Sequence, residues 1–365
     1  MLSTAERAVG LLALGTLLTG AVTIGTHHDP TPVASSAPVI ETRVTQPVPT
    51  SPVPRPTHAA PKPTPKPRPV DVPVPASPPL TGCPVKPSHG GGGPRPLTPP
   101  KVAESALPPA LPVLRKASGL DAVRGKGLWA TPFGTTPLAV SALVSQAQRT
   151  GVRSIWVRTG GSRQGYYGDQ FLDALVAQAH AHGIRVIAWD FPFLSDPVAD
   201  ARRAQQALAQ GVDGFSPDVE TAAEGTRVTA RRLRLYLSLV RRYAGDRPVI
   251  ATVPRPSSAR KTYPYALFQP YADVVAPMVY WSCKEPGALV QQSLRELGRI
   301  LPVAPVGQGY DMGSEGGRRG TPSARETLRF LDAARRGGAV GASLWTVEEA
   351  GPQQLTALAA YRWPA

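Results

Sequence analysis

From Lys126 to the C-terminus the chain repeats one pattern eight times, a short apolar run followed by a longer amphipathic one. Short runs rich in β-branched and aromatic residues read as strands, and stretches with apolar residues three and four apart read as helices. The strand candidates are GLWATPF, VRSIWVRTG, IRVIAWDFPF, VDGFSPDVE, PVIATVPRP, DVVAPMVYW, VAPVGQGYDM and GASLWTVEEA. Helices are expected at 137–150, 169–182, 197–210, through an Arg-rich stretch to Ala244, then at 264–271, 287–300, 323–336 and 352–361. Eight such units over about 235 residues match the usual size of a (β/α)8 TIM barrel, an α/β fold. A doubly wound open sheet is the competing architecture. It would need fewer strands, and no Gly-rich phosphate loop follows any strand here.

The preceding region is of another kind. The chain has 365 residues and 43 prolines, and the prolines crowd before residue 113 or so. Residues 1–26 form a first segment, in which Arg7 precedes an uncharged apolar run from Ala8 to Gly25. This reads as a signal peptide or signal anchor, with the uncleaved, membrane-tethering form the better fit. Residues 27–113 are Pro-, Ser-, Thr- and Val-rich and lack the apolar periodicity of a core, so a disordered linker of polyproline II character is expected. The barrel is assigned to 114–365.

The formal charge is +15. A basic balance attracts anionic polymers, but the arginines of ARRLRLYLSLVRRYAG have the spacing of a solvated helix face. No nucleic-acid motif is present, and export also argues against nucleic acid. Cys83 lies in the linker and Cys283 in the barrel; an oxidising compartment would allow them to pair, strapping the linker to the domain, and two free thiols are the alternative.

Barrel active sites form at the C-terminal ends of the strands, so the last residues of each run are the candidates. They include Arg158, Trp189 and Asp190, then Ser216, Asp218 and Glu220 on one strand face, then Arg255. Met278, Tyr280 and Trp281 follow, then Gln308, Tyr310 and Asp311, and finally Trp345, Glu348 and Glu349. Carboxylates with aromatics suit acid/base cleavage of a glycosidic bond with sugar rings stacked on aromatic faces. No histidine stands at a strand end, so neither a His-based triad nor a His-ligated zinc site is supported, and no cofactor is implied. Ser154 and Ser216 lack the context of a nucleophile elbow.

The stretch DGFSPDVE resembles the strand-4 signature D-G-x-D-x-D-x-E of family-18 glycoside hydrolases, the chitinases and related enzymes, with Asp213, Gly214, Asp218 and Glu220 in register. MVYW is similar to that family's M-x-Y-D, supplying Met278 and Tyr280, and Trp345 is placed like the family's strand-8 tryptophan. Ser216 stands where the family has its middle Asp, and Trp281 where it has an Asp after the tyrosine. A more distant resemblance is to family-25 lysozymes, whose strand-1 Asp has no counterpart in GLWATPF.

The family-18 resemblance implies substrate-assisted, retaining hydrolysis of N-acetylated sugars. Glu220 would be the general acid and Asp218 would orient the acetamido group. Tyr280 would hydrogen-bond that group and Trp345 would floor the sugar site. Asp190, Trp281, Tyr310 and Asp311 are further candidate substrate contacts from their strand-end positions alone. The expectation is therefore an exported hydrolase of cell-wall or extracellular polysaccharide, such as peptidoglycan glycan strands. The two missing acids keep open the alternative of a non-catalytic carbohydrate-binding barrel at the cell wall.

Overall fold

Strands that are apolar at nearly every position are those buried on both faces, as parallel strands are beneath a layer of helices. The computed structural model describes residue 83 and residues 100–113, 116–117, 119–131, 137–257 and 260–364. It shows that arrangement. The eight parallel strands are β1 (Gly125–Ala130), β2 (Ser154–Gly161), β4 (Arg185–Phe191), β5 (Gly214–Pro217), β6 (Ile250–Pro254), β7 (Val274–Val279), β8 (Val306–Gln308) and β9 (Gly341–Trp345). A two-residue strand, β3 (Gly165–Tyr166), returns antiparallel on the end of β2.

The ladders run β5–β4–β2–β1–β9–β8–β7–β6. Closure between β5 and β6 is made by single bridges, Phe215 to Val249 and Asp218 to Thr252, rather than a continuous ladder. The result is a nearly closed (β/α)8 barrel. Its helices are α1 (Pro137–Thr150), α2 (Leu172–Ala181), α3 (Pro197–Ala209), α4 (Ala230–Ala244), α5 (Pro286–Leu297), α6 (Ala324–Arg336) and α7 (Pro352–Ala360). The start of α3 shows why the sequence folds locally as it does. Asp196 accepts from the Ala199 N–H and Pro197 occupies the first turn, where its missing N–H costs nothing. The helix expected at 264–271 is instead one 3-10 turn, Tyr265–Phe268. Its flanking Pro264 and Pro270 leave too few residues to propagate an α-helix.

Alternation along the strands divides the core in two. Leu128, Ile155, Val157, Val186, Ala188, Phe215 and Val253 face outward against the helices. Trp129, Trp156, Ile187, Trp189, Ile250, Val274, Ala276 and Val306 fill the barrel. Gly127 makes room for this filling, since a Cβ there would lie 2.7 Å from Trp156 Nε1.

Two expectations change outside the barrel wall. Residues 100–113, which composition assigns to the linker, descend along α4. Val102 N donates to Ser195 O at 3.3 Å and Leu111 N to Ser238 Oγ at 3.0 Å. At the lower end Ala117 N donates to Asp273 Oδ1 at 3.0 Å. The arginines of α4 are also not all solvated, because Arg232 and Arg241 are buried. Arg232 donates to Leu194 O, Ser195 O and Val102 O, clamping two loops. Arg241 pairs with Asp273 and donates to Gly245 O and Arg247 O. The apolar run at 8–25 and most of the Pro-rich stretch lie outside the described residues. Among the described residues no helix is long and apolar enough to cross a membrane.

Asp273 accepts from Arg241, from Val249 N and from Ala117 N, so truncating it leaves a buried guanidinium without its counter-ion. Asp273→Ala is expected to cost about 3–5 kcal/mol, measured as a lowered urea midpoint at unchanged m-value.

Candidate active site

The backbone of β5 and its continuation decides what reaches the mouth of the barrel. Phe215 and Val219 belong to the outer layer, so Ser216, Asp218 and Glu220 take the opposite, interior face. Ser216 Oγ donates to Ile250 O at 2.8 Å and lies 2.7 Å from Thr252 Oγ1, tying β5 to β6 below the mouth. Asp218 N donates to Asp190 O and Val219 N to Thr252 O, both at 3.0 Å, so this backbone bridges the seam of the barrel.

Asp218 is 8% exposed, and its Oδ1 finds no hydrogen-bond partner among the described residues. Burial is the main reason its carboxyl is pushed up to about 7; the Arg158 charge opposes the rise, while Asp190 and Glu224 add to it. Glu220 is half-buried. Its carboxyl is held well above the ordinary range, first by desolvation and next by Asp218, with Glu224 and Glu315 adding and Arg260 opposing. Desolvation and mutual repulsion favour the protonated forms of these two carboxyls, the state from which an acid donates a proton to a leaving group.

Four indoles lie beneath the pair. Trp129 stacks on Trp156 at 4.8 Å and meets Trp189 at 5.4 Å; Trp189 meets Trp345 at 5.1 Å. Trp345, half-buried at the end of β9, is the tryptophan of this group that takes part in the mouth, and its peptide bond to Thr346 is cis. The Arg158 guanidinium sits 5.2 Å over the Trp189 ring, whose Nε1 has no hydrogen-bond partner among the described residues.

One wall is aromatic. Tyr280 follows β7 on the interior face and meets Tyr310 edge-on at 5.4 Å. Burial raises the Tyr280 hydroxyl well above its ordinary value, and Tyr310, Asp218, Glu220 and Glu315 raise it further. Tyr310 donates to Glu315 Oε2 at 3.1 Å. Gln308 fixes the rim by accepting from Ser282 N at 2.7 Å and donating to Tyr310 O at 3.0 Å.

Of the residues singled out from sequence, Asp218, Glu220, Tyr280, Tyr310 and Trp345 converge on this mouth. Three others do not. The Asp190 side chain leaves on the opposite face from Trp189, accepting from Arg203 Nε at 2.7 Å and Tyr236 Oη at 3.3 Å in the helix layer. Trp281 likewise turns outward, packing on Phe330 at 5.5 Å and donating to Glu326 at 3.2 Å. Asp311 is exposed and caps the 3-10 turn Met312–Glu315 by accepting from Gly313 N. Asp213, in register with the family motif, lies at the opposite pole, accepting from Val186 N at 2.8 Å and pairing with His180 and Arg185.

Sequence reasoning passed over Glu224, Arg260 and Glu315. Glu224 completes a capping box with Thr221, whose T-A-A-E spacing is legible in sequence, and it pairs with Arg260 at 3.5 Å. Arg260 and Glu315 come from long loops whose approach to Glu220 has no local signal. Cys283 follows β7 on the same rim and forms a disulfide with Cys83, with Cα atoms 5.7 Å apart. Among the described residues no group of three His, Cys, Asp or Glu side chains converges as a metal site requires.

The chain is a (β/α)8 barrel, and the sequence of its fourth barrel strand resembles the motif of family-18 glycoside hydrolases. No family model and no curated protein matches it. Among solved structures it is similar to a chitinase from Chromobacterium violaceum, at 14% identity over 66% of this chain and 100% of that chain, with a TM-score of 0.49. It is also similar to the spore cortex-lytic enzyme SleL of Bacillus cereus, at 12% identity over 66% and 74% of the two chains, with a TM-score of 0.49. A family-18 N-acetylglucosaminidase from Paenibacillus barengoltzii aligns at 11% identity over 65% and 99%, with a TM-score of 0.48. These are likenesses of fold.

An acid whose folded pKa is raised binds more protons folded than unfolded, so its burial lowers stability as pH rises from about 4 toward the folded value. Asp218, with its carboxyl up at about 7, should therefore destabilise the protein progressively over that window. Asp218→Asn is expected to raise the melting temperature at pH 8 by a few degrees and to flatten the decline between pH 4 and 7, read by calorimetry across pH.

Proposed function

We propose that this protein is an exported glycoside hydrolase of N-acetylhexosamine-containing cell-wall or extracellular polysaccharide, with peptidoglycan glycan strands as its substrate class. The observation that carries the reading is the desolvated Asp218–Glu220 pair, set on one strand face above an indole floor at the C-terminal mouth of a barrel. A Cys83–Cys283 disulfide suits an oxidising compartment outside the cytoplasm, in keeping with the apolar N-terminal run that follows Arg7.

In this reading Glu220 is the general acid. It sits at the open end of the face, half-buried, and its raised pKa keeps the proton available at neutral pH. Glu220 gives that proton to the glycosidic oxygen as the C–O bond breaks. Asp218 lies one step deeper, with Oδ1 free to accept the N–H of a 2-acetamido group. That contact turns the amide carbonyl oxygen toward the anomeric carbon, where it displaces the leaving sugar. Water then opens the resulting oxazolinium ring, with Glu220, now deprotonated, taking the water's proton. Tyr280 stands beside both carboxyls to hold the acetamido oxygen, and Trp345 offers its face to the reacting sugar. Arg158, within electrostatic reach of Asp218, favours the ionised form of that carboxyl as positive charge develops on the sugar.

One observation favours a second reading, a barrel that holds glycan without cutting it. The Ser216 hydroxyl is consumed by Ile250 O and Thr252, leaving no acid below Asp218 on that face. A single series of assays separates the two. Glu220→Gln is expected to reduce release of new reducing ends from chitin oligomers and peptidoglycan by about 10²–10⁴-fold, while glycan binding and melting temperature stay near wild type. Turnover that survives the substitution would remove this mechanism. Wild-type protein that retains glycan on a column yet produces no reducing ends would establish the binding-only barrel.

A further inference from the structure

The pole of the barrel opposite the mouth carries a cavity that the glycan chemistry does not use. It measures about 220 Å³ and is lined by Lys126 of β1, Gly151 and Arg153 of the α1–β2 turn, and Tyr361, Arg362 and Trp363 just beyond α7. Each charged side chain in this lining is a cation.

Lys126 is 6% exposed. Its ammonium donates to Thr150 O at 2.9 Å and Leu358 O at 2.5 Å, the carbonyl ends of α1 and α7, and so has used two of its three donors. Gly151 leaves the approach to it open, because a Cβ there would lie 3.6 Å from Nζ. The Arg153 and Arg362 guanidiniums make no hydrogen bond or ion pair among the described residues, unlike Arg203, Arg241 and Arg318 elsewhere in the chain, each of which has a carboxylate. Burial lowers the Lys126 ammonium to about 8, and the charge of Arg362, another cation, adds to the shift. Such a cluster repels itself and has no counter-charge among the described residues.

We infer that this cavity is a binding site for a phosphate-bearing ligand, a phosphorylated sugar or polyol phosphate chain. Two planar guanidiniums offer forked donor pairs that match phosphate oxygens, and a buried ammonium in the same lining supplies a point charge. The half-buried Trp363 and Tyr361 rings, 6.3 Å apart, offer an apolar face to the sugar or polyol carbons next to the phosphate. The site lies at the far end of the barrel from Glu220 and stands whether or not the mouth is catalytic. Its placement would let the protein hold an anionic wall polymer at one pole while the mouth stays free.

The experiment uses the full chain, titrated with inorganic phosphate, with glycerol phosphate oligomers and with a single-stranded oligonucleotide of equal charge, read by calorimetry at low and moderate salt. Because Lys126 also joins two helix ends, the variants are Arg153→Gln, Arg362→Gln and the pair together, all at exposed guanidiniums. Binding of the glycerol phosphate oligomer that falls at least tenfold in the double variant, at unchanged melting temperature and unchanged glycan binding at the mouth, is the expected result. Binding of inorganic phosphate as tight as that of the oligomer would place the ligand among small anions, and the polymer assignment would fall. Equal or tighter oligonucleotide binding, affinity that ignores both substitutions, or no binding of any probe at millimolar concentration would each overturn the inference.

Discussion

Two carboxyl groups on one strand face, lifted out of water and set beside each other, cannot both ionise without a large electrostatic cost. Asp218 and Glu220 are held in that position by the alternation of β5, which sends Phe215 and Val219 to the helices and leaves no other direction for their neighbours. The main chain of the same stretch closes the barrel, taking hydrogen bonds to Asp190 O on one side and Thr252 O on the other. The seam and the acid pair are thus one element. A shift of one residue in its register would turn both acids into the outer layer and put Val219 in the mouth.

The floor beneath the pair depends on a match of large and small residues. Four tryptophans fit inside an eight-stranded barrel because Gly127 gives up its side-chain space to Trp156, and because Ser154 and Ser343 accept the indole N–H groups of Trp156 and Trp129. Trp189 differs from these two, with a buried indole N–H left unpartnered among the described residues beneath the Arg158 guanidinium. Unpaired polar atoms in a packed interior are costly, and Trp189 Nε1 and Asp218 Oδ1 are two such atoms among the described residues.

Outside the barrel, much of the basic composition has structural work. Arg232 and Arg241 face inward from α4 and join the descending segment 100–113, the loop after β4 and the start of β7. A helix wheel cannot tell such arginines from solvated ones, because both occur between leucines. The difference is made by partners over a hundred positions away in sequence, such as Val102 for Arg232. The opposite case is the pole near Lys126, where Arg153 and Arg362 point at no acid among the described residues.

The barrel, the order of its strands and the placement of Asp218 and Glu220 were all legible in the amino-acid sequence, since each follows from periodicity that is local. The eightfold alternation of apolar runs and amphipathic stretches specifies the units, and the period of two along DGFSPDVE specifies which side chains travel together. Sequence could not say which way a residue at a strand end turns. Asp190 and Trp281 each follow an inward-facing neighbour, so alternation carries them to the helix layer, to Arg203 and Phe330. Reading them as site residues depended on nearness to the strand end, and one residue more or less reverses the face. Nor did any local pattern show that Glu315 and Arg260 approach Glu220, or that residues 100–113 lie on α4. Those placements arise when long loops fold back over the rim and a Pro-rich segment finds carbonyl and hydroxyl partners on a helix. Local chemistry settled the scaffold and its acid pair, whereas the electrostatic surroundings of that pair were decided by contacts between distant segments, which only the folded chain brings together.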